Sequence, residues 1–321
     1  QEKAIKRALN NNITIISGGP GTGKTTIINA IVKLYIEKEK LSPADIMETI
    51  ALLAPTGRAA KKMNSSTGIP AYTIHRYLKW YKDSNEFVYN EYNKTHHKLI
   101  IVDEVSMIDV DLFNALLNGI NSNIKLILVG DTFQLPSVGP GLVLNELIES
   151  DYFNYIPLNQ IYRQSDNSYI PFLAKEIKNN DLSEEFLTKK DDYNFVQVNS
   201  DNIKSAIKQI TDLSLKKGLD ERNVQILAPM YKGEAGIDAL NLCLQEIYNP
   251  RKRNKEEVIY GEFVYRESDK VLQLVNDLDN NVFNGDIGFI ESIMGNKIII
   301  DYDGNKVTYE KKDLKNIKHA Y

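Results

Sequence analysis

The sequence predicts an α/β fold: a parallel sheet built around a phosphate-binding loop, then a shorter α/β block, then a small antiparallel barrel. Three observations predict it. Short apolar runs alternate with helical patterns through the first half. Residues 18–25 read GGPGTGKT, with a strand-like segment before and a helix-like segment after. From about residue 255 the pattern changes to short strands separated by Asn, Asp and Gly.

In chain order, ITIIS (13–17), TIALLA (49–54), KLIIVD (98–103) and KLILVG (125–130) are continuous apolar runs, the pattern of strands buried on both faces. TTIINAIVKLYIEKEK (25–40) and VDLFNALLNGI (110–120) are the intervening helices. KWYKDSNEFVYNEYNKTHH (79–97) has a Ser-Asn turn with aromatic and Val residues on both sides, which predicts a β-hairpin insertion. A second alternating block starts near 165. In it NVQILAPM (223–230) reads as a buried strand and AGIDALNLCLQEIY (235–248) as an amphipathic helix. DIGFIESI, NKIIIDYDG and NKVTYEKKD then supply barrel strands. The expected divisions are 1–165, 166–254 and 255–318.

The 321 residues are enough for about two domains with real cores. Hydrophobic residues make up 42% and charged residues 26%, which excludes a disordered chain or a disulfide scaffold. No apolar run reaches the ~18 residues of a membrane span. Cys243 is the single cysteine and has no internal partner, which fits a reducing, cytoplasmic setting. The chain opens without Met or a signal segment, so the natural protein is expected to begin earlier. Net charge is −4, with residues 1–165 at +1 and the remainder at −5. Neither part is a basic footprint, so nucleic-acid binding has to come from local patches and backbone contacts.

The chemistry begins in the loop. Gly18, Gly19, Pro20, Gly21, Thr22 and Gly23 let backbone N–H groups turn inward around phosphate, and the following helix adds its positive end. Lys24 reaches the β- and γ-phosphates, and Thr25 offers its hydroxyl to Mg²⁺. The strand 99–102 ends in Asp103-Glu104. Asp103 is the expected Mg²⁺ ligand, and Glu104 the residue that orients or deprotonates the attacking water. GDTFQLP (130–136) closes a third strand. Alone it reads as a Pro/Gly turn with a solvated glutamine; beside a phosphate site, Gln134 becomes the candidate for telling ATP from ADP.

QEKAIKRAL (1–9), GGPGTGKTT (18–26), APTGRAAKKM (54–63), TIHRYL (73–78), IIVDEVSMID (100–109) and VGDTFQLPSVGPG (129–141) together resemble the RecD-like DNA helicases of superfamily 1B, the family of the exodeoxyribonuclease V alpha subunit. LNQIYRQ (158–164), APMYKGEAGIDALN (228–241) and VFNGDIG (282–288) match more weakly. The resemblance implies two RecA-like motor domains, the second carrying an SH3-like barrel insertion. It implies an ATP-dependent helicase or translocase moving 5′ to 3′ on single-stranded DNA, in DNA repair and recombination. Gln1 then contacts adenine, and Thr26 joins the ATP-binding loop. Arg163 becomes the arginine that reaches the γ-phosphate when the two domains close.

The same resemblance places single-stranded DNA on Pro55, Thr56, Gly57 and Arg58 and on Thr73, His75 and Arg76. A hydroxyl, a guanidinium and backbone N–H groups after a strand suit phosphate contacts. Pro229, Met230, Tyr231 and Lys232 are the second grip, with Tyr231 able to stack a base. The 79–97 insertion matches the element that parts the duplex, which makes a duplex junction a partner. Trp80, Tyr81 and Phe87 are either its core or its wedge. His96-His97 lacks the spacing of a metal pair and reads as solvated surface.

One departure is Ser268-Asp269, where the family reads Gly-Asp. The family's T-x-H-K-S-Q-G-like motif and later arginine motif do not occur before NIKHAY (316–321). The expectation is a fragment that binds Mg-ATP and hydrolyses it poorly. The other partners implied are the remaining subunits of a helicase–nuclease complex. Two alternatives stand: a P-loop ATPase switch or loader without processive unwinding, and a non-catalytic subunit of such a complex.

Overall fold

The computed structural model describes residues 1–81, 86–158, 168–253, 255–277 and 279–321. The chain divides into two compact units, 1–194 and 195–321.

In chain order the first unit contains α1 (Glu2–Asn10), β1 (Ile13–Gly18), α2 (Lys24–Glu39), α3 (Pro43–Thr49), β2 (Ile50–Ala54), α4 (Gly57–Thr67), β3 (Ala71–Thr73) and α5 (Ile74–Tyr77). Then come β4 (Trp80–Tyr81), β5 (Glu86–Phe87), β6 (Leu99–Val102), α6 (Val110–Gly119), β7 (Lys125–Gly130), α7 (Val143–Glu149), β8 (Asn154–Leu158) and α8 (Ile170–Asn179). Six of the strands form one parallel sheet, ordered β3-β2-β6-β7-β1-β8.

The continuous apolar runs follow from two-faced burial. Leu99 and Ile101 enter one core with Ile16, Ile27, Ile31 and Val129. Ile100 and Val102 enter the other with Ile15, Leu53, Leu116 and Leu128. Each such side chain contributes about 1.5–3 kcal/mol by leaving water. Helix starts are set locally. Ser42 and Asp45 cap α3 reciprocally, with Pro43 in the first turn. Asp109 caps α6 through Leu112 N–H. Asp192 accepts the Tyr169 N–H at the start of α8, which ties residue 192 into this unit.

β4 and β5 pair antiparallel, Trp80 opposite Phe87. His97 is engaged, contrary to its reading as solvated surface. Its ring contacts the Tyr77 hydroxyl at 3.0 Å and the Met47 carbonyl at 3.2 Å. His96 is exposed.

The second unit contains α9 (Ile203–Lys216), α10 (Ile237–Tyr248), β9 (Glu257–Tyr260), β10 (Phe263–Arg266), β11 (Lys270–Gln273), β12 (Ile287–Met294), β13 (Lys297–Tyr302), β14 (Asn305–Glu310) and β15 (Ile317–His319). β14-β13-β12-β11-β15 form an antiparallel sheet, and β10-β9 a two-stranded ribbon. Val258 of the ribbon shares a core with Val271, Ile290, Ile300 and Tyr302 of the sheet. Asp303-Gly304 turns β13 into β14 with both residues at positive φ, the geometry of a tight hairpin.

Residues 223–230 depart from the strand the sequence predicts. They form no ladder with any described strand. Ile226 and Ala228 pack beside Leu240, Leu244 and Tyr321, while Leu227 is 87% exposed. The Lys270 ammonium takes the Glu221 and Val224 carbonyls at 2.7 and 3.2 Å. A strand is a paired object, and an apolar run without a neighbour cannot supply its own ladder.

Candidate functional site

Every candidate residue described in the first unit, Gln1 apart, follows the carboxyl end of a strand in the parallel sheet. A parallel sheet gathers those ends along one edge, where ligands of such folds sit.

β1 ends at Gly18, where a β-carbon would come within 2.6 Å of Thr22 Oγ1 and 2.8 Å of Leu158. Only glycine permits that approach. Gly23 precedes α2 with φ 86, and a side chain there would collide with the Gln1 amide. Gln1 Nε2 donates to the Thr22 carbonyl at 3.3 Å, so it rests on the loop it was expected to serve. Thr22 Oγ1 donates to Gly19 O at 2.8 Å. Lys24 Nζ donates to Gly18 O and Gly19 O at 2.5 and 3.2 Å, which holds the ammonium across the loop. Thr25 and Thr26 occupy the first turn of α2, which carries no acidic residue. Its free N–H groups and dipole therefore face an anion with no acidic side chain in that turn.

Asp103 follows β6, its N–H bonded to Leu53 O at 2.9 Å. Burial pushes its carboxyl up to about 6; the Glu104 charge adds to this, and the Glu104 N–H and the charges of Lys24 and Lys62 oppose it. Glu104 adopts φ 54, a left-handed turn directly after Asp103. Its Oε2 is sealed from solvent and has no partner among the described residues. An orphaned carboxylate oxygen beside a second, destabilised carboxylate suits a hydrated cation and an ordered water. The Thr25 hydroxyl and Asp103 carboxylate are hard oxygen donors, so the residues fit Mg²⁺.

Gln134 is exposed, in the turn after β7. Two residues here were not reached from sequence. Lys62 acts on Asp103 from α4. Asp131 is 3% exposed, and its Oδ2 lies 3.9 Å from where a β-carbon on Gly19 would stand. The available signal was the Asp directly after a buried strand. Arg163 lies outside the described residues.

The candidate nucleic-acid residues group at the far end of the sheet. Ala54 and Thr73 are register partners in β2 and β3, so APTGR and TIHR leave the sheet side by side. Thr56 and Thr73 cap α4 and α5 through Ala59 and Arg76 N–H, and each keeps its own O–H to donate. Pro55 is half-buried, Gly57 buried, and Arg58, His75 and Arg76 exposed. The Arg76 guanidinium lies 5.3 Å from the Tyr72 ring centre. His75 sits 5.8 Å from Phe87 and 6.1 Å from Trp80, and its partial burial there lowers its pKa below the usual value. Phe87 packs on Trp80, while Tyr81 is 62% exposed.

Pro229, Met230, Tyr231 and Lys232 belong to the second unit and are all exposed. The Met230 and Tyr231 carbonyls accept the Ile237 and Asp238 N–H groups, which fixes this loop to the start of α10. The Lys318 ammonium stands 4.8 Å from the Tyr231 ring centre.

Comparison with known proteins agrees with this architecture. Residues 1–140 match the family model of an AAA domain, and residues 240–307 that of the ATP-dependent RecD-like DNA helicase SH3 domain. The ATP-dependent RecD2 DNA helicase of Deinococcus radiodurans is 31% identical, across 100% of this chain and 42% of that protein. The RecBCD enzyme subunit RecD of Buchnera aphidicola is 29% identical, across 93% of this chain and 60% of that protein. That of Mycolicibacterium smegmatis is 37% identical over 46% of this chain and 30% of its own length. The chain thus spans 30 to 60% of these relatives. Among solved structures, Bacteroides Pif1 bound to ssDNA aligns with a TM-score of 0.53 at 20% identity, covering 96% of this chain and 72% of that one. Pif1 helicase from Candida albicans aligns at 0.53 and 17%, covering 96% and 77%. At that identity the likeness is one of fold. No helix among the described residues is long and apolar enough to cross a membrane.

Proposed function

We propose, from the premise that the chain is RecD-like and of helicase superfamily 1, that it forms part of an ATP-driven DNA translocase and helicase. One observation carries this reading: Lys24 is held across the loop 18–24, and the ends of β6 and β7 present Asp103, a Glu104 oxygen without a partner among the described residues, and Gln134 at the same sheet edge.

In this reading the N–H groups of 19–24 and the Lys24 ammonium hold the phosphates of ATP, with Gln1 toward the base. Thr25 and Asp103 hold Mg²⁺, which when bound neutralises charge on the phosphates. Glu104 orients the attacking water and receives its proton. Gln134 meets the γ-phosphate, and Arg163 is the arginine finger. Thr56, Arg58, Thr73, His75 and Arg76 contact the DNA backbone, and 229–232 form a second contact that stacks a base on Tyr231. Alternation between two grips makes hydrolysis into a step, 5′ to 3′ along single-stranded DNA, with repair and recombination as the setting. Residues 1–165, 166–254 and 255–318 are the corresponding first motor domain, partial second motor domain and barrel insertion, with 168–194 packed in the first compact unit. Because two relatives are named as RecBCD subunits, companion subunits belong to the proposal.

The test is ATP hydrolysis by the full-length protein with and without single-stranded DNA. Strong stimulation by DNA, abolished in Lys24→Ala, is the expected result. A rate indifferent to DNA overturns the translocase reading and leaves a P-loop ATPase of another kind.

A further inference from the structure

The end of β7 is locked before its loop begins. A β-carbon at Gly130 would approach Leu144 to 2.7 Å and the Val105 and Ser106 N–H groups to 3.3 Å, so the strand end is pressed onto the turn that follows Asp103-Glu104. Asp131 comes next, 3% exposed, with Oδ2 turned toward Gly19 of the phosphate-binding loop. Its Oδ1 accepts the Phe133 N–H at 3.1 Å, and its carbonyl accepts the Gln134 N–H at 3.2 Å. Both backbone anchors of the Gln134 turn therefore come from one residue. The Lys178 ammonium, 3.5 Å from the Phe133 ring centre, covers the outer side.

A buried negative charge beside an anion-binding loop opposes a phosphate there. Its presence needs another benefit, and the geometry supplies one. An aspartate that bonds the N–H two residues on closes a turn that the backbone alone leaves loose. The Gln134 side chain stays exposed while the turn carrying it is fixed.

We propose that Asp131 is a positioning residue for ATP recognition: it sets the turn that presents Gln134 to the γ-phosphate, by shape and hydrogen bonding rather than by charge. The proposal rests on the reading of residues 18–25 as a nucleotide site.

Asparagine keeps the side-chain acceptor while removing the charge; alanine removes both and leaves the turn only its main-chain anchor. The measurement is equilibrium binding of AMP-PNP and of ADP, each with Mg²⁺, to the full-length protein, with thermal melting as the check on folding. Asp131→Asn is expected to hold the AMP-PNP-to-ADP preference within about twofold of the parent, and Asp131→Ala to reduce it about fivefold, the scale of one lost hydrogen bond. On a Gln134→Ala background, Asp131→Ala changes the preference no further. Where the alanine variant does not fold, Asp131→Glu, whose longer arm breaks the same turn bond, is expected to lose the preference likewise. Equal loss in Asp131→Asn and Asp131→Ala, or an additive effect on the Gln134→Ala background, overturns the proposal. So does a parent that binds both nucleotides equally. A parent that binds neither overturns the nucleotide-site reading instead.

Discussion

Trp80 and Phe87 stand opposite each other in the register of β4 and β5, with ring centres 4.5 Å apart. The His75 ring packs beside both, which partly covers Trp80, 37% exposed, and leaves Tyr81 the more exposed aromatic at 62%.

This pairing has a direct optical test, because Trp80 is the single tryptophan of the chain. Phe87→Ala is expected to shift Trp80 emission to the red and to cost about 0.5–1.5 kcal/mol beyond the lost area. Tyr81→Ala should leave the emission close to that of the parent. Unchanged emission in Phe87→Ala would show that the rings do not cover each other in solution.

Asp103 makes stability depend on pH in a defined direction. Burial holds its carboxyl near 6 against an ordinary 3.8. Between about pH 4 and 6 the native chain keeps a proton that the unfolded chain has lost, so stability falls as pH rises through that window. Asp103→Asn is expected to raise the melting temperature at pH 7 and barely move it at pH 4. The difference corresponds to at most about 3 kcal/mol. Equal shifts at both pH values would locate the effect elsewhere.

Ser268 adopts φ 74, a left-handed conformation that costs a side chain roughly 1 kcal/mol. It is exposed, and its N–H bonds Ile290 O at 2.7 Å. Ser268→Gly should raise the unfolding free energy of the second unit by about 0.5–1 kcal/mol. A β-branched residue such as valine should lower it by more. A neutral Ser268→Gly would mean that the hydroxyl compensates the strain.

Asp269, fully buried, gathers five donors. Oδ2 accepts from Gln245 Nε2, Arg266 N–H and His319 Nε2 at 2.7, 2.7 and 3.0 Å. Oδ1 accepts from Asn249 Nδ2 and the Tyr321 hydroxyl at 2.7 and 2.8 Å. Burial alone would raise this carboxyl, and the bonds, His319 first, reverse it to below the usual range. Its contribution is lost as pH falls through that depressed value. Asp269→Ala strands these donors and should cost about 3 kcal/mol or more in chemical denaturation of the second unit. A loss under 1 kcal/mol would contradict the network.

The parallel sheet was legible because burial on both faces writes itself into the chain as unbroken apolar runs. Leu99 and Ile100 serve opposite faces and look identical in sequence. Residues 223–230 also carry an apolar run and form no ladder with any described strand, since pairing belongs to a distant partner that local pattern does not reveal. Lys24, Asp103 and Glu104 were readable because their spacing is fixed by the chemistry of phosphate. Asp131 and Lys62 were not, because each matters through a neighbour reached only by folding. Ser268 was visible as a departure, but its cost resides in a backbone angle.

The sheet order has a consequence in time. Ile13 of β1 pairs with Leu126 of β7, and Thr14 with Asn154 of β8. A ribosome adding roughly 5–20 residues per second makes β1 about 10 s before either neighbour exists. Until then the strand leading into the phosphate loop has neither of its permanent neighbours. β1 is thus locked well after it is made, and for that interval its apolar run depends on chaperones or on α1 and α2 for cover.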